Sequence, residues 1–261
     1  MLSKEKAQEW ISEAEADARL APIMKEVEDR YRVGVRIRDE PEWSSTVDGD
    51  KAEIGMADTQ RHLQAFAHEL LHLRLSARGY RHILGAGNHD PYQQQIISAL
   101  LYALDNELQH HRMFSDFVDA GFDGGDFYAE SDDDVHTQLQ DEIEELHNAS
   151  PAWQAVFCHF TLIAPGGQWP GGKREELVAL LRSKVSSDTR SKLAQVEVLF
   201  AAWRQQTDLD PTETIVSIFE TLGGFEGTYL AEDVSAYPAG SFIPRDMTPG
   251  EFMAISGKTE Q

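Results

Sequence analysis

The sequence predicts an α+β protein that is mostly helical, with a small sheet near its N-terminus and a helical subdomain at its C-terminus. Two short segments, residues 33–38 and 52–56, alternate or cluster apolar residues as strands do. In most of the remaining chain, apolar residues recur every three or four positions, which is the spacing of one helical face. Together these observations favour this class over an all-helical bundle.

The first half of the chain is predicted to combine helices with the two strands. In chain order we expect a helix over 4–31, a strand over 33–38, a strand over 52–56, a helix over 59–77 and a helix over 92–118. Asp58 precedes the third of these helices and is the expected N-cap, because its carboxylate can accept hydrogen bonds from first-turn N–H groups. Gly79 follows this helix and suits its C-terminal end.

The second half is predicted to be almost entirely helical. The expected helices span 135–147, 151–163, 173–206 and 211–222, and prolines at positions 151 and 211 mark two of their starts. The sequence therefore predicts four parts: a core over 1–118, an acidic loop over 119–134, a helical subdomain over 135–222 and an irregular tail over 223–261.

Length and charge narrow the class of protein. The chain has 261 residues, enough for a sizeable core, and a composition of 41% hydrophobic and 26% charged residues typical of globular domains. Its 45 acidic against 23 basic side chains give a net charge of −22. Such a field repels phosphate, so we expect no nucleic acid and no anionic membrane among its partners.

Cysteine use and hydropathy indicate the compartment. Cys158 is the single cysteine of the sequence, which excludes an intrachain disulfide. The N-terminal segment is polar and lacks the apolar stretch of a signal peptide, and no segment has the length of a membrane span. We therefore expect a cytoplasmic protein; the sequence does not indicate its oligomeric state.

The segment with the clearest chemistry is FAHELLHLRL, residues 66–75, which contains an HExxH pattern at His68, Glu69 and His72. Residues four apart on a helix differ by about 40° and rise about 6 Å, so both imidazoles project from one face. Two neutral imidazoles at this spacing suit a tetrahedral Zn²⁺. Glu69 lies about 100° round the helix, where it would act as a general base on a zinc-activated water. The alternative is an amphipathic helix with two surface histidines.

The order of a helix, strands, an HExxH helix and a further helix resembles the catalytic core of the zincin metallopeptidases, over roughly residues 5–118. The resemblance implies a small zincin-type sheet, a Zn²⁺ cofactor and hydrolysis of peptide bonds. It also implies that one strand beside the cleft aligns an extended substrate by strand addition. Residues 52–56 occupy the matching position in this sequence.

Zincins differ in the residue that supplies the third zinc ligand. The metzincin extension HExxHxxGxxH is absent, because Leu75 and Arg78 stand where its glycine and last histidine would be. The gluzincins take a glutamate from a downstream helix, and the predicted helix over 92–118 carries Glu107 in an otherwise apolar stripe. The sequence therefore resembles the gluzincins more closely than the metzincins.

We expect Zn²⁺ to be held by His68, His72 and Glu107. His111 lies one turn after Glu107 and is the expected second catalytic residue beside Glu69, as an oxyanion donor or as a partner of Glu107. His111 and His110 both remain open as alternative third ligands. Further candidates for the oxyanion donor are Tyr102, Tyr92 and His82.

The predicted function is a zinc metallopeptidase that hydrolyses peptide bonds of an intracellular protein or peptide, with a preference for basic segments because of the acidic field. One alternative is a zincin-fold binding or regulatory protein without activity. The other is a di-iron carboxylate oxidase, because three Glu-x-x-His patterns occur in the chain. These patterns are Glu69–His72, Glu107–His110 and Glu144–His147.

Overall fold

A computed structural model describes residues 2–82, 85–88, 90–128, 135–225, 228–231 and 241–242 of the protein. Within these residues the chain forms nine α-helices and two three-stranded sheets, which confirms the mostly helical α+β class. The helices are α1 (Lys4–Ala16), α2 (Ala21–Glu28), α3 (His62–Ala77), α4 (Pro91–Asp119), α5 (Val135–Glu145), α6 (Ala152–Ile163), α7 (Lys173–Lys184), α8 (Ser187–Gln205) and α9 (Thr212–Leu222). The strands are β1 (Arg32–Ile37), β2 (Ser44–Asp48), β3 (Lys51–Met56), β4 (Gly85–Gly87), β5 (Tyr229–Ala231) and β6 (Ser241–Phe242).

The chain divides into two compact units, and each is assembled from separate segments. Unit 1 comprises Met1–Tyr80, Gln109–Leu139 and Ala164–Glu175; unit 2 comprises Arg81–Leu108, Gln140–Ile163 and Glu176–Gln261. The four-part division predicted from the sequence follows chain order and stays a prediction. Most of its tail over 223–261, and residues 129–134 of its acidic loop, lie outside the described residues.

The predicted helix over 4–31 is in fact two helices, α1 and α2. The break follows from Asp17, whose carboxylate accepts from the backbone N–H of Arg19 at 2.8 Å and from its guanidinium at 2.6 Å. This local turn competes with helical hydrogen bonding. Pro22, in the first turn of α2, is compatible with a new helix start.

The sheet of unit 1 has β3 at its centre. β1 pairs with β3 in parallel and β2 pairs with it antiparallel, so both edges of β3 are occupied along its length. The expectation that residues 52–56 offer an edge to a substrate is therefore wrong. β2 is not predicted by the sequence pattern, because its polar, largely exposed residues SSTVD show no buried alternation.

Helix α3 is packed against the sheet and against α1 and α2. It begins at His62 rather than at residue 59, and no side chain caps it. The expected cap, Asp58, instead forms an ion pair with Lys6 at 2.7 Å. Nine residues of α3 are buried, and they include both His68 and Glu69.

An ion network ties the C-terminal end of α3 to its neighbours in unit 1. Glu26 of α2 accepts from Arg78 at 2.7 Å and from Arg74 at 2.6 Å. Asp116 of α4 lies 2.8 Å from Arg78 and 3.2 Å from Arg74. The hydrogen bond from Arg78, aided by Arg74, lowers the pKa of Glu26 below its usual value against the opposing effect of burial.

In unit 2, helices α6, α8 and α9 surround a core that contains the fully buried Trp203. The indole N–H of Trp203 donates to the carbonyl oxygen of Leu108 at 2.8 Å. The predicted helix over 173–206 is interrupted between α7 and α8, where Ser186 caps α8 by accepting from the Thr189 N–H at 3.0 Å. Every helix in the described residues is too short or too polar to cross a lipid bilayer.

His159 of α6 makes the stability of the fold depend on pH. Burial lowers its pKa from 6.5 to about 4, and burial prevails although Glu197 Oε1 lies 3.5 Å from His159 Nε2. As pH falls from 6.5 toward 4, the unfolded chain therefore gains a proton that the folded chain does not, and stability falls. We expect the free energy of unfolding of the wild type to fall with decreasing pH by up to about 1.4 kcal/mol per pH unit more than that of His159→Gln. Urea unfolding between pH 7 and pH 5 measures both slopes. Equal slopes in the two proteins would contradict this account.

Candidate metal centre

Three histidines of unit 1 converge on one point: His68 and His72 from α3, and His110 from α4. A ring nitrogen of each lies within 4.8 Å of the ring nitrogens of the other two. His68 and His110 are buried and His72 is half-buried. In the part of the chain that the structure describes, these are the three side chains found close enough together to hold a metal ion.

Hydrogen bonds determine which nitrogen carries the proton in two of the rings. His68 Nδ1–H donates to the carbonyl oxygen of Phe127 at 2.6 Å, and His72 Nδ1–H donates to Gln109 Oε1 at 2.9 Å. Carbonyl oxygens only accept, so Nδ1 carries a proton in both rings, and a ring in its neutral form has its lone pair on Nε2. In that form each ring can bind a metal through Nε2.

The two Nε2 atoms of His68 and His72 face each other at 3.2 Å. Two nitrogen ligands about 2.05 Å from a tetrahedral metal ion are about 3.3 Å apart. The pair is therefore spaced as two corners of a tetrahedral site.

The charge state of His68 also suits a ligand. Its burial lowers its pKa well below the usual value, and the neighbouring His72 and His110 lower it further. The hydrogen bond to Phe127 acts in the opposite direction and is outweighed. The ring is consequently neutral at physiological pH, as metal binding requires.

The third histidine of the cluster, His110, stands where Glu107 was expected. Within unit 1, the stripe of α4 through His110 continues to Met113 and Phe117, which are at most 1% exposed, whereas the stripe through Glu107 continues over the buried His111 to the exposed Val118. In unit 1, α4 therefore turns its His110 face inward. The structure brings His68 and His72 together as predicted, and it places neither Glu107 nor His111 in the cluster.

Three further residues at the site were not found from the sequence. Gln109 is buried and binds His72, the Phe127 carbonyl binds His68, and the Tyr128 hydroxyl lies 3.4 Å from His110 Nδ1. The sequence does show a glutamine directly before His110, but a neutral amide is not a candidate when only ionisable side chains are considered as ligands. A backbone carbonyl leaves no signal in the sequence.

Glu69 is 5% exposed and follows His68 on α3, so helical geometry sets it about 100° from that ring. His82, Tyr92 and Tyr102, the other predicted oxyanion donors, belong to unit 2. His82 Nδ1 lies 3.0 Å from an Asp105 carboxylate oxygen, and both tyrosines are exposed.

The pattern Glu144–His147 is exposed, and Glu144 accepts a hydrogen bond from Gln140 at 2.9 Å. A di-iron bundle needs its Glu-x-x-His motifs facing inward, so this pattern does not supply one of them.

Comparison with protein-family models, with curated proteins and with solved structures finds no match to this chain. The resemblance to zincins rests on the HExxH pattern and on the order of the neighbouring elements.

Proposed function

We propose that this protein is a zinc-dependent metallopeptidase in which His68, His72 and His110 hold the zinc ion and Glu69 is the general base. The observation that carries the proposal is the convergence of the three histidines, whose ring nitrogens lie within 4.8 Å of one another, with the Nε2 atoms of His68 and His72 3.2 Å apart. Nδ1 of each of these two rings donates to an oxygen atom, which is the arrangement that orients a histidine to bind a metal through Nε2.

Three imidazole nitrogens suit Zn²⁺, copper, nickel and iron, whereas Mg²⁺, Ca²⁺ and Mn²⁺ prefer oxygen ligands and a di-iron site requires several carboxylates. We propose zinc among the first group because the zincin-like HExxH pattern at His68, Glu69 and His72 implies it. Three protein ligands leave the fourth tetrahedral position open, as in catalytic zinc sites. When bound there, zinc would lower the pKa of a water molecule to about 7 and polarise a peptide carbonyl.

Glu69 performs the proton transfers in this proposal. Its carboxylate accepts the proton of the attacking water and passes it to the leaving amine. The neighbouring Leu70 and Leu71 are each 1% exposed, so the surroundings are apolar and favour transfer to the substrate over loss to solvent. The Tyr128 hydroxyl lies 3.4 Å from His110 Nδ1, and we propose it as the oxyanion donor, a role for which His111 stays a sequence-based prediction.

We propose that the substrate is an intracellular protein or peptide that carries basic segments. The net charge of −22 attracts cationic chains toward the surface. β2 is the antiparallel edge of the unit 1 sheet and packs against α3, so β2, rather than the central β3, is the strand along which an extended peptide could align.

We expect the purified protein to contain one zinc ion per chain and to cleave a library of fluorescence-quenched basic peptides. A chelator should abolish cleavage and added Zn²⁺ should restore it, because the proposed reaction requires a water activated by the metal. Metal analysis and initial rates measure both effects. Zinc without cleavage would favour the binding-protein alternative, two irons would favour the oxidase, and absence of bound metal would contradict the proposal.

A further inference from the structure

A loop more than fifty residues after His110 packs on the turn that contacts two of the histidines. We call residues 164–172 the glycine loop and residues 123–128 the site turn. Gly166 has φ +75°, and a Cβ added there would lie 2.5 Å from the Gly124 oxygen, 2.6 Å from Phe114 Cε2 and 3.1 Å from Phe127 Cβ. The two backbones are therefore in a contact that only glycine permits.

Hydrogen bonds add to this contact. The Gly167 N–H donates to the Gly124 oxygen at 3.2 Å, and Gln168 Nε2 donates to Asp126 Oδ1 at 3.0 Å. A Cβ at Gly167 would lie 3.5 Å from the ring of Tyr128. The glycine loop thus touches the site turn from Gly124 to Tyr128.

Arg174, in the first turn of α7, holds the glycine loop in its shape. One terminal nitrogen of its guanidinium donates to the Ala164 oxygen at 3.1 Å and to the Gly166 oxygen at 2.8 Å. The same guanidinium lies 4.6 Å from the ring centroid of Trp169. These contacts fix the loop at both Gly166 and Trp169.

We propose that the glycine loop positions the metal ligands, with Gly166 and Arg174 as positioning residues that act through Phe127 and Tyr128. The inference rests on the metal centre proposed above. Phe127 sets the tautomer and direction of the His68 ring, and Tyr128 lies against His110. Residues behind the ligands commonly change metal affinity about 10–100-fold when they are altered. The glycine loop would change metal affinity in this way although it is remote from the ligands in sequence.

The test compares two glycines of the same loop. Gly166 and Gly172 have φ of +75° and +76°, but a Cβ at Gly172 meets no atom within 4 Å. Alanine at either position therefore causes a similar backbone strain, but only the alanine of Gly166→Ala clashes with the site turn. We expect Gly166→Ala to weaken Zn²⁺ binding at least about tenfold and to alter the visible spectrum of the Co²⁺-loaded protein. Gly172→Ala should leave the affinity within about twofold and the spectrum unchanged, since its strain does not reach the ligands.

A second pair of variants covers the case in which Gly166→Ala does not fold. Arg174→Gln removes the two loop bonds, while Arg190→Gln removes a similar pair of bonds, to Arg182 and Val185 oxygens, in unit 2. We expect Arg174→Gln alone to weaken Zn²⁺ binding and change the Co²⁺ spectrum. Equal affinities and spectra within each folded pair would overturn this inference while leaving the metal centre in place. If the wild type binds no metal, both proposals fail; if it binds metal without cleaving peptides, only the enzymatic one does.

Discussion

Glu69→Gln should reduce peptide hydrolysis by about 10³-fold while the protein keeps its zinc. Glutamine has the shape of glutamate but cannot take up the proton of the attacking water. It also leaves the three histidines and their hydrogen bonds to Phe127 and Gln109 untouched. Initial rates with the peptide library and zinc content of the same samples measure the two quantities.

The control for this variant is Glu9→Gln, which makes the same chemical change on an exposed glutamate of α1 in unit 1. It should retain activity within an order of magnitude, because Glu9 is not among the proposed ligands or proton carriers. Full activity in a zinc-loaded Glu69→Gln protein would exclude Glu69 as the general base. Loss of zinc in that variant would instead assign Glu69 a structural role at the site.

His110→Ala should weaken zinc binding by more than the factor of about 10–100 that is typical of a residue behind a ligand. Removing His110 leaves two imidazoles, which hold a divalent zinc ion far more weakly than three. Competition with a chromophoric chelator measures the affinity. Activity should be lost at metal concentrations that saturate the wild type.

Glu107→Gln is the matched variant, because Glu107 lies one turn earlier on α4 and was the ligand expected from the sequence. We expect it to bind zinc as the wild type does. The reverse result, with zinc lost in Glu107→Gln and kept in His110→Ala, would restore the ligand set of His68, His72 and Glu107.

The parts of the structure that could be predicted are those in which local pattern and tertiary packing agree. The alternation at residues 33–38 and the apolar run at 52–56 correspond to β1 and β3, and the HExxH spacing brought His68 and His72 together. Each of these features depends on a few consecutive residues. β2 was missed because a polar edge strand exists only through its pairing with β3.

The third histidine could not be chosen from the sequence, because the choice depends on which face of α4 turns inward. A stripe that includes Glu107 and a stripe that includes His110 are both possible on one helix of 29 residues. Both stripes contain fully buried apolar side chains, so burial alone does not decide between them. The approach of His110 to His68 and His72 in unit 1 does, and it comes from tertiary packing. The roles of Phe127 and Gly166 likewise depend on contacts between segments distant in the chain.

The ion network at the end of α3 has a consequence for precision. An imidazole Nε2 stands about 6 Å from the axis of its helix, so a roll of α3 by 10° would carry it about 1 Å. Metal–ligand distances tolerate only about 0.2 Å. Arg74 and Arg78 form ion pairs with Glu26 on one side and with Asp116 on the other, so they restrict rotation of α3 about its axis. Ion pairs at the end of the helix therefore help to fix the direction of the histidine rings in its middle.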